Sequence, residues 1–110
     1  MTNRDREHAA RMLEEADGIR VLADRGRFRS DPVTVERVHL RCIFVAESAD
    51  HLSRGLKDQN PGLWTTVRNF RTAALHTYET IDPEDLWRFV RDDLPEIVSA
   101  LRKARFSKDG

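Results

Sequence analysis

The chain has 110 residues and a mass of 12.8 kDa, enough for one domain and not two. Nineteen basic side chains balance nineteen acidic ones, 35% of residues are charged, and the mean hydropathy is −0.63. Those figures argue against a polycationic nucleic-acid coat protein, an acidic tail protein and a membrane protein. The longest apolar run, Cys42 to Ala46, is far shorter than the roughly 20 residues a membrane helix needs. The N-terminal residues Met1 to Glu7 contain no apolar core of a secretory signal, so a cytoplasmic setting is expected. Cys42 has no second cysteine to pair with and is expected to pack as a small hydrophobe.

Apolar residues recur at helical spacing, and almost no stretch alternates as a strand would. The first helix is expected over about residues 4–25, with Thr2 and Asp5 as a capping pair. Ala9, Met12, Leu13, Ala16, Ile19 and Ala23 form its stripe, widened by Val21 and Leu22, and Gly26 is its stop. Asp31-Pro32 then reads as an N-cap followed by a first-turn proline. The second helix carries Val35, Val38, Cys42, Val45, Ala49 and Leu52 on one face and ends near Arg54-Gly55. After the turn Asn60-Pro61-Gly62, a third helix is expected over about 63–76, with Leu63, Val67, Phe70 and Ala74 inward. Asp82-Pro83 repeats the cap-plus-proline signal, and Glu84 and Asp85 suit a helix N-terminus. Leu86, Trp87, Phe89, Val90 and Leu94 follow as its apolar residues, and Pro95 should kink or break the helix. A last segment to about Arg105 buries Ile97, Val98, Leu101 and Ala104, and residues 106–110 are expected to fray. The sum is an all-α, four- to five-helix up-down bundle, one domain over 1–110.

The chemistry-bearing residues gather at the end of the third helix. Arg68, Thr72 and His76 fall at i, i+4 and i+8, on one surface line, with Arg71 at the margin of the core face. An imidazole can take or give a proton near neutral pH. A guanidinium can hold a phosphate and stabilise the charge that develops on it. RNA carries its own nucleophile, the 2′-hydroxyl, so such a pair needs no metal and no cofactor. By itself, one histidine and two arginines on a helix are more commonly a solvated face.

The wider pattern resembles a known family. Arg71, four residues, His76, one residue and Tyr78 match the motif of the HepT-like toxins, within the HEPN superfamily of helical ribonucleases. Other similar features are Arg4-Asp5 before a helix with Met12-Leu13, Glu47 followed by Ala49, and Pro61-x-x-Trp64 opening the third helix. Ile81-Asp82, Leu86-Trp87 and Asp93-Leu94-Pro95 extend the likeness over most of the chain.

The resemblance implies a homodimer whose motif helices face each other across a composite cleft for metal-independent RNA cleavage. It makes His76 the acid/base, Arg71 the phosphate ligand and Glu47 a supporting residue, with Arg68 and Thr72 beside them. It also implies an MntA-type nucleotidyltransferase antitoxin that transfers AMP to Tyr78. Two places depart from the family: Thr72 stands directly after the motif arginine, where Asn or Asp is usual, and Leu40 and Arg41 stand in the second helix where an Arg-Asn pair is common before the Glu. The first departure leaves a second class of function open, a non-catalytic helical partner of a minimal nucleotidyltransferase.

Other groupings carry less. Glu36-x-x-His39 is half of a bundle di-metal motif without its second half. His8 and His51 lack ligand spacing and read as surface residues, and Trp64 and Trp87 read as packing. The zero net charge hides an uneven distribution. Residues 20–41 sum to +3, 63–78 to +2 and 79–96 to −5. A neutral chain of this kind can still present a local basic cleft to a phosphate backbone.

Overall fold

The computed structural model describes residues 1–24, 30–76 and 82–105. Among them there is no strand, and the chain is an all-α bundle. The helices are α1 (Asn3–Ala23), α2 (Pro32–Asp50), the single turn α3 (Arg54–Lys57), α4 (Pro61–His76), α5 (Pro83–Arg88) and α6 (Leu94–Arg105). A π-helical turn, Phe89–Asp93, joins the last two. Gly26, Tyr78 and the tail from 106 to 110 lie outside the described residues.

The expected caps form. Thr2 Oγ1 accepts from the Asp5 N–H (3.0 Å), and Asp5 Oδ2 accepts from the Thr2 N–H (3.2 Å), a reciprocal capping box. Asp31 caps α2 ahead of Pro32, and Asp82 caps α5 ahead of Pro83. The second helix stops at Asp50, earlier than its hydrophobic spacing suggests. Ser53 then caps the separate turn α3, whose Leu56 is buried.

Expected stripes become the core. Met12 and Ile19 of α1, Val38 and Val45 of α2, and Ile97 and Leu101 of α6 are almost fully buried. The α1–α2 hairpin is the most extensive pairing, with α4 on α2 and α6 on α1. Phe70 of α4 stacks on Phe89 of the π turn, ring centroids 3.9 Å apart, and so ties the fourth helix to the C-terminal one. Val21 is an exception: it is exposed rather than a widening of the α1 stripe. Cys42 is buried as expected, and burial pushes its thiol far above the usual range, which makes it a poor nucleophile.

At Pro95 the expected interruption takes a specific form. Proline has no N–H to give and would crowd the carbonyl four residues back. The chain accommodates it with a wider turn, in which the Leu94 N–H donates to the Phe89 carbonyl, five residues earlier. The helix therefore continues through Pro95 instead of ending there.

Two long-range polar contacts set the α1–α2 corner. Asp5, 1% exposed, accepts from the Ser53 N–H (2.8 Å) and the Ser53 hydroxyl (2.6 Å) in addition to Thr2. Farther along, Arg41 reaches from α2 across α1 to Glu15 (3.1 Å). It passes over Gly18, where a Cβ would collide with the guanidinium. The clash is with the flexible end of a partly exposed side chain, so a Cβ at Gly18 would displace the Arg41 guanidinium and not the helices.

Candidate active site

The helix α4 opens at Pro61 and runs without interruption to His76, so Arg68, Thr72 and His76 share one face over two turns. Thr72 and Arg68 are exposed. Arg68 borders a narrow cleft with Asp50 and Lys57 over Trp64 and Val67, where the end of α2 meets the start of α4. Arg71 sits, as its angular position predicts, at the margin of the core face and is half-buried. Its Nε is buried and, among the described residues, has no hydrogen-bond partner. An unpaired buried N–H costs about 1–3 kcal/mol, and natural proteins keep few of them.

His76 is the last residue of α4, and its side chain lies outside the described residues, as does all of Tyr78. Glu47 is exposed on α2, the neighbour of α4, and it does not border the Arg68 cleft. Of the sequence-selected residues that are described, Glu47 is carried by α2 and Arg68, Arg71, Thr72 and the backbone of His76 by α4.

Leu40 and Phe44 of α2 and Leu75 of α4 are 61%, 43% and 46% exposed. The two packed helices therefore present large apolar side chains to solvent. A larger groove, about 540 Å³, runs between α1 and α6 over Trp87, Val90 and Leu94. Among the described residues, neither Arg71 nor Arg68 nor Thr72 lines it.

The family model described as "Ribonuclease HepT-like" matches residues 10–104, from α1 through α6 and across the whole Arg71–Tyr78 motif. The chain belongs to the HepT-like ribonuclease family. No curated protein and no solved structure matched it. In this HepT-like chain the described residues include no group of three or more His, Cys, Asp and Glu side chains able to hold a metal ion. None of its described helices is long and apolar enough to cross a membrane.

Sequence reasoning missed two features of the HepT-like chain. His8 and His51, read as separate surface residues, stack on each other with ring centroids 5.4 Å apart. His39 holds a buried Nε2 with no partner among the described residues. Burial lowers its pKa, and the nearby Glu36 carboxylate only partly opposes that. The Glu36-x-x-His39 spacing pointed to the residue, although not to this setting.

Proposed function

We propose that the chain is the toxin of a toxin–antitoxin pair, an endoribonuclease acting as a homodimer of single helical domains. The observation that carries this is the family match across 10–104, a range that includes Arg71, His76 and Tyr78. In this reading the Arg71 guanidinium binds the scissile phosphate and stabilises its developing charge. His76 takes the proton of the RNA 2′-hydroxyl, which attacks the adjacent phosphorus. The second His76 of the dimer protonates the departing 5′-oxygen. The products are a 2′,3′-cyclic phosphate and a 5′-hydroxyl, with no step that calls for a metal. Arg68 and Thr72, on the same helix face, extend the phosphate-binding surface, and Glu47 supports it from α2.

The dimer reading is supported by the exposed Leu40 and Phe44 of α2 and Leu75 of α4, because large apolar side chains left in solvent on two packed helices suit a self-complementary interface. Phe44→Asp is expected to shift the protein from dimer to monomer in sedimentation velocity and to abolish cleavage. Its helical content should stay intact, since Phe44 is outside the core. A Phe44→Asp protein that is still dimeric and active places the interface elsewhere.

Regulation follows from the motif tyrosine. The antitoxin would be an MntA-type nucleotidyltransferase that joins the Tyr78 oxygen to the α-phosphorus of ATP, with pyrophosphate leaving. With that enzyme, ATP and magnesium, intact-mass spectrometry should show additions of one AMP, mapped to the Tyr78 peptide and absent in Tyr78→Phe. Equal modification of Tyr78→Phe contradicts the assignment. Growth arrest on expressing this chain alone separates catalysis from the alternative role, a non-catalytic partner of the nucleotidyltransferase.

A further inference from the structure

Two buried side-chain nitrogens among the described residues have no hydrogen-bond partner, Nε of Arg71 and Nε2 of His39. They lie on α4 and α2, the two helices that pack against each other beside the motif. Arg71 already has a role in the proposed site, and His39 has none.

Helix register places His39 near the motif's end. The last turns of α2, at Ala46 and Asp50, meet the first turns of α4, at Trp64 and Arg68, so the two helices run antiparallel. Eleven residues back from Asp50 is His39, and eleven forward from Trp64 is Leu75. At 1.5 Å per residue both steps cover about 16 Å, which brings His39 level with Leu75, the residue before His76.

Two facts make an ordinary packing role a poor explanation for His39. A leucine would fill the seam without burying an unpaired ring nitrogen, so histidine here works against the stability of the isolated chain. The preceding Val38 and the nearby Cys42 and Val45 already supply the apolar packing of α2.

We propose that His39 is a positioning residue for the Arg71/His76 site. Its buried Nε2, which has no partner among the described residues, lies level with the last turn of α4 and holds that turn in the arrangement cleavage requires by a hydrogen bond made in the RNA-bound state. The inference rests on the ribonuclease reading above. Misplacement of a reacting group by about 1 Å can lower a rate by about 10²-fold, which sets the size of the effect.

The test compares wild type, His39→Leu, His39→Gln and His76→Ala, each measured for melting temperature, kcat and KM on a labelled RNA. His39→Leu should melt no lower than wild type, lose about 10²-fold in kcat and leave KM nearly unchanged. His39→Gln, which keeps a polar atom near the Nε2 position, should recover most of that loss. Wild-type kcat in His39→Leu overturns the proposal, and so does a change in KM alone or an equal loss in both variants. Cleavage retained by His76→Ala overturns the ribonuclease reading itself, whatever His39 does.

Discussion

His76→Ala is expected to lower RNA cleavage by about 10²–10⁴-fold, the usual contribution of a positioned acid/base group. Arg71→Ala should cost about 10²–10³-fold, the scale of losing one donor to a charged transition state. Neither change should unfold the protein. His76 ends its helix, so no turn of α4 depends on it. Arg71 contributes a buried nitrogen without a partner among the described residues, and removing an unsatisfied group does not penalise the fold. Arg71→Lys should rescue little, because an ammonium is a point charge and cannot grip two phosphate oxygens in a fork. The double variant should be about as slow as the worse single one, since both residues serve one step. Cleavage rates on a defined RNA under single-turnover conditions measure all four, and an additive double loss would show that the two act independently.

The largest stability effect is expected at Asp5. Its carboxylate is buried at the α1–α2 corner and receives the Thr2 N–H, the Ser53 N–H and the Ser53 hydroxyl. Asp5→Ala leaves those donors unsatisfied and should destabilise the fold by about 2–4 kcal/mol, given that a hydrogen bond to a charged group contributes about 1.5–3 kcal/mol. Asp5→Asn should rescue poorly, since its NH2 turns a donor toward donors. Ser53→Ala should be milder, because it removes the hydroxyl and keeps the backbone N–H.

The same contacts make stability depend on pH. Burial raises the Asp5 pKa, and the hydrogen bonds from Ser53 and Thr2 outweigh it, so the folded value lies below the usual carboxylate value of 3.8. The unfolded chain therefore binds the proton more readily. The stabilisation from Asp5 is fully present above that unfolded pKa and is lost as pH falls through it toward the lower folded value. Urea unfolding of wild type and Asp5→Ala at neutral pH and below pH 4 should show the gap between them narrowing in acid. A gap that is constant with pH would assign the effect of Asp5 to packing instead of charge.

Much of the bundle is legible in the sequence because its signals are local. Ala9, Met12, Ala16 and Ile19 are inward at spacings that a helix alone explains, and the caps at Thr2, Asp31 and Asp82 act within three residues of themselves. What escapes is set by partners far along the chain. The carboxylate of Asp5 reads as half of a capping box, and nothing near it announces Ser53, 48 residues away. The π turn is foreshadowed only as a break at Pro95, because spacing cannot say whether a helix ends or widens. For the proposed site, spacing alone singles out Arg71, His76 and Tyr78, while the buried Nε of Arg71 and Nε2 of His39, without partners among the described residues, depend on how the helices pack. The apolar Leu40, Phe44 and Leu75 belong to the same class: only packing separates an exposed apolar residue from a core one.

The central claim is cleavage by Arg71 and His76 through the RNA's own 2′-hydroxyl. Incubating the purified chain with an end-labelled RNA in excess EDTA, and analysing the product ends, tests it most directly. The predicted result is cleavage by wild type that leaves a 2′,3′-cyclic phosphate and a 5′-hydroxyl, with His76→Ala inactive. Cleavage that needs a divalent metal, leaves 5′-phosphate ends or persists in His76→Ala would contradict it.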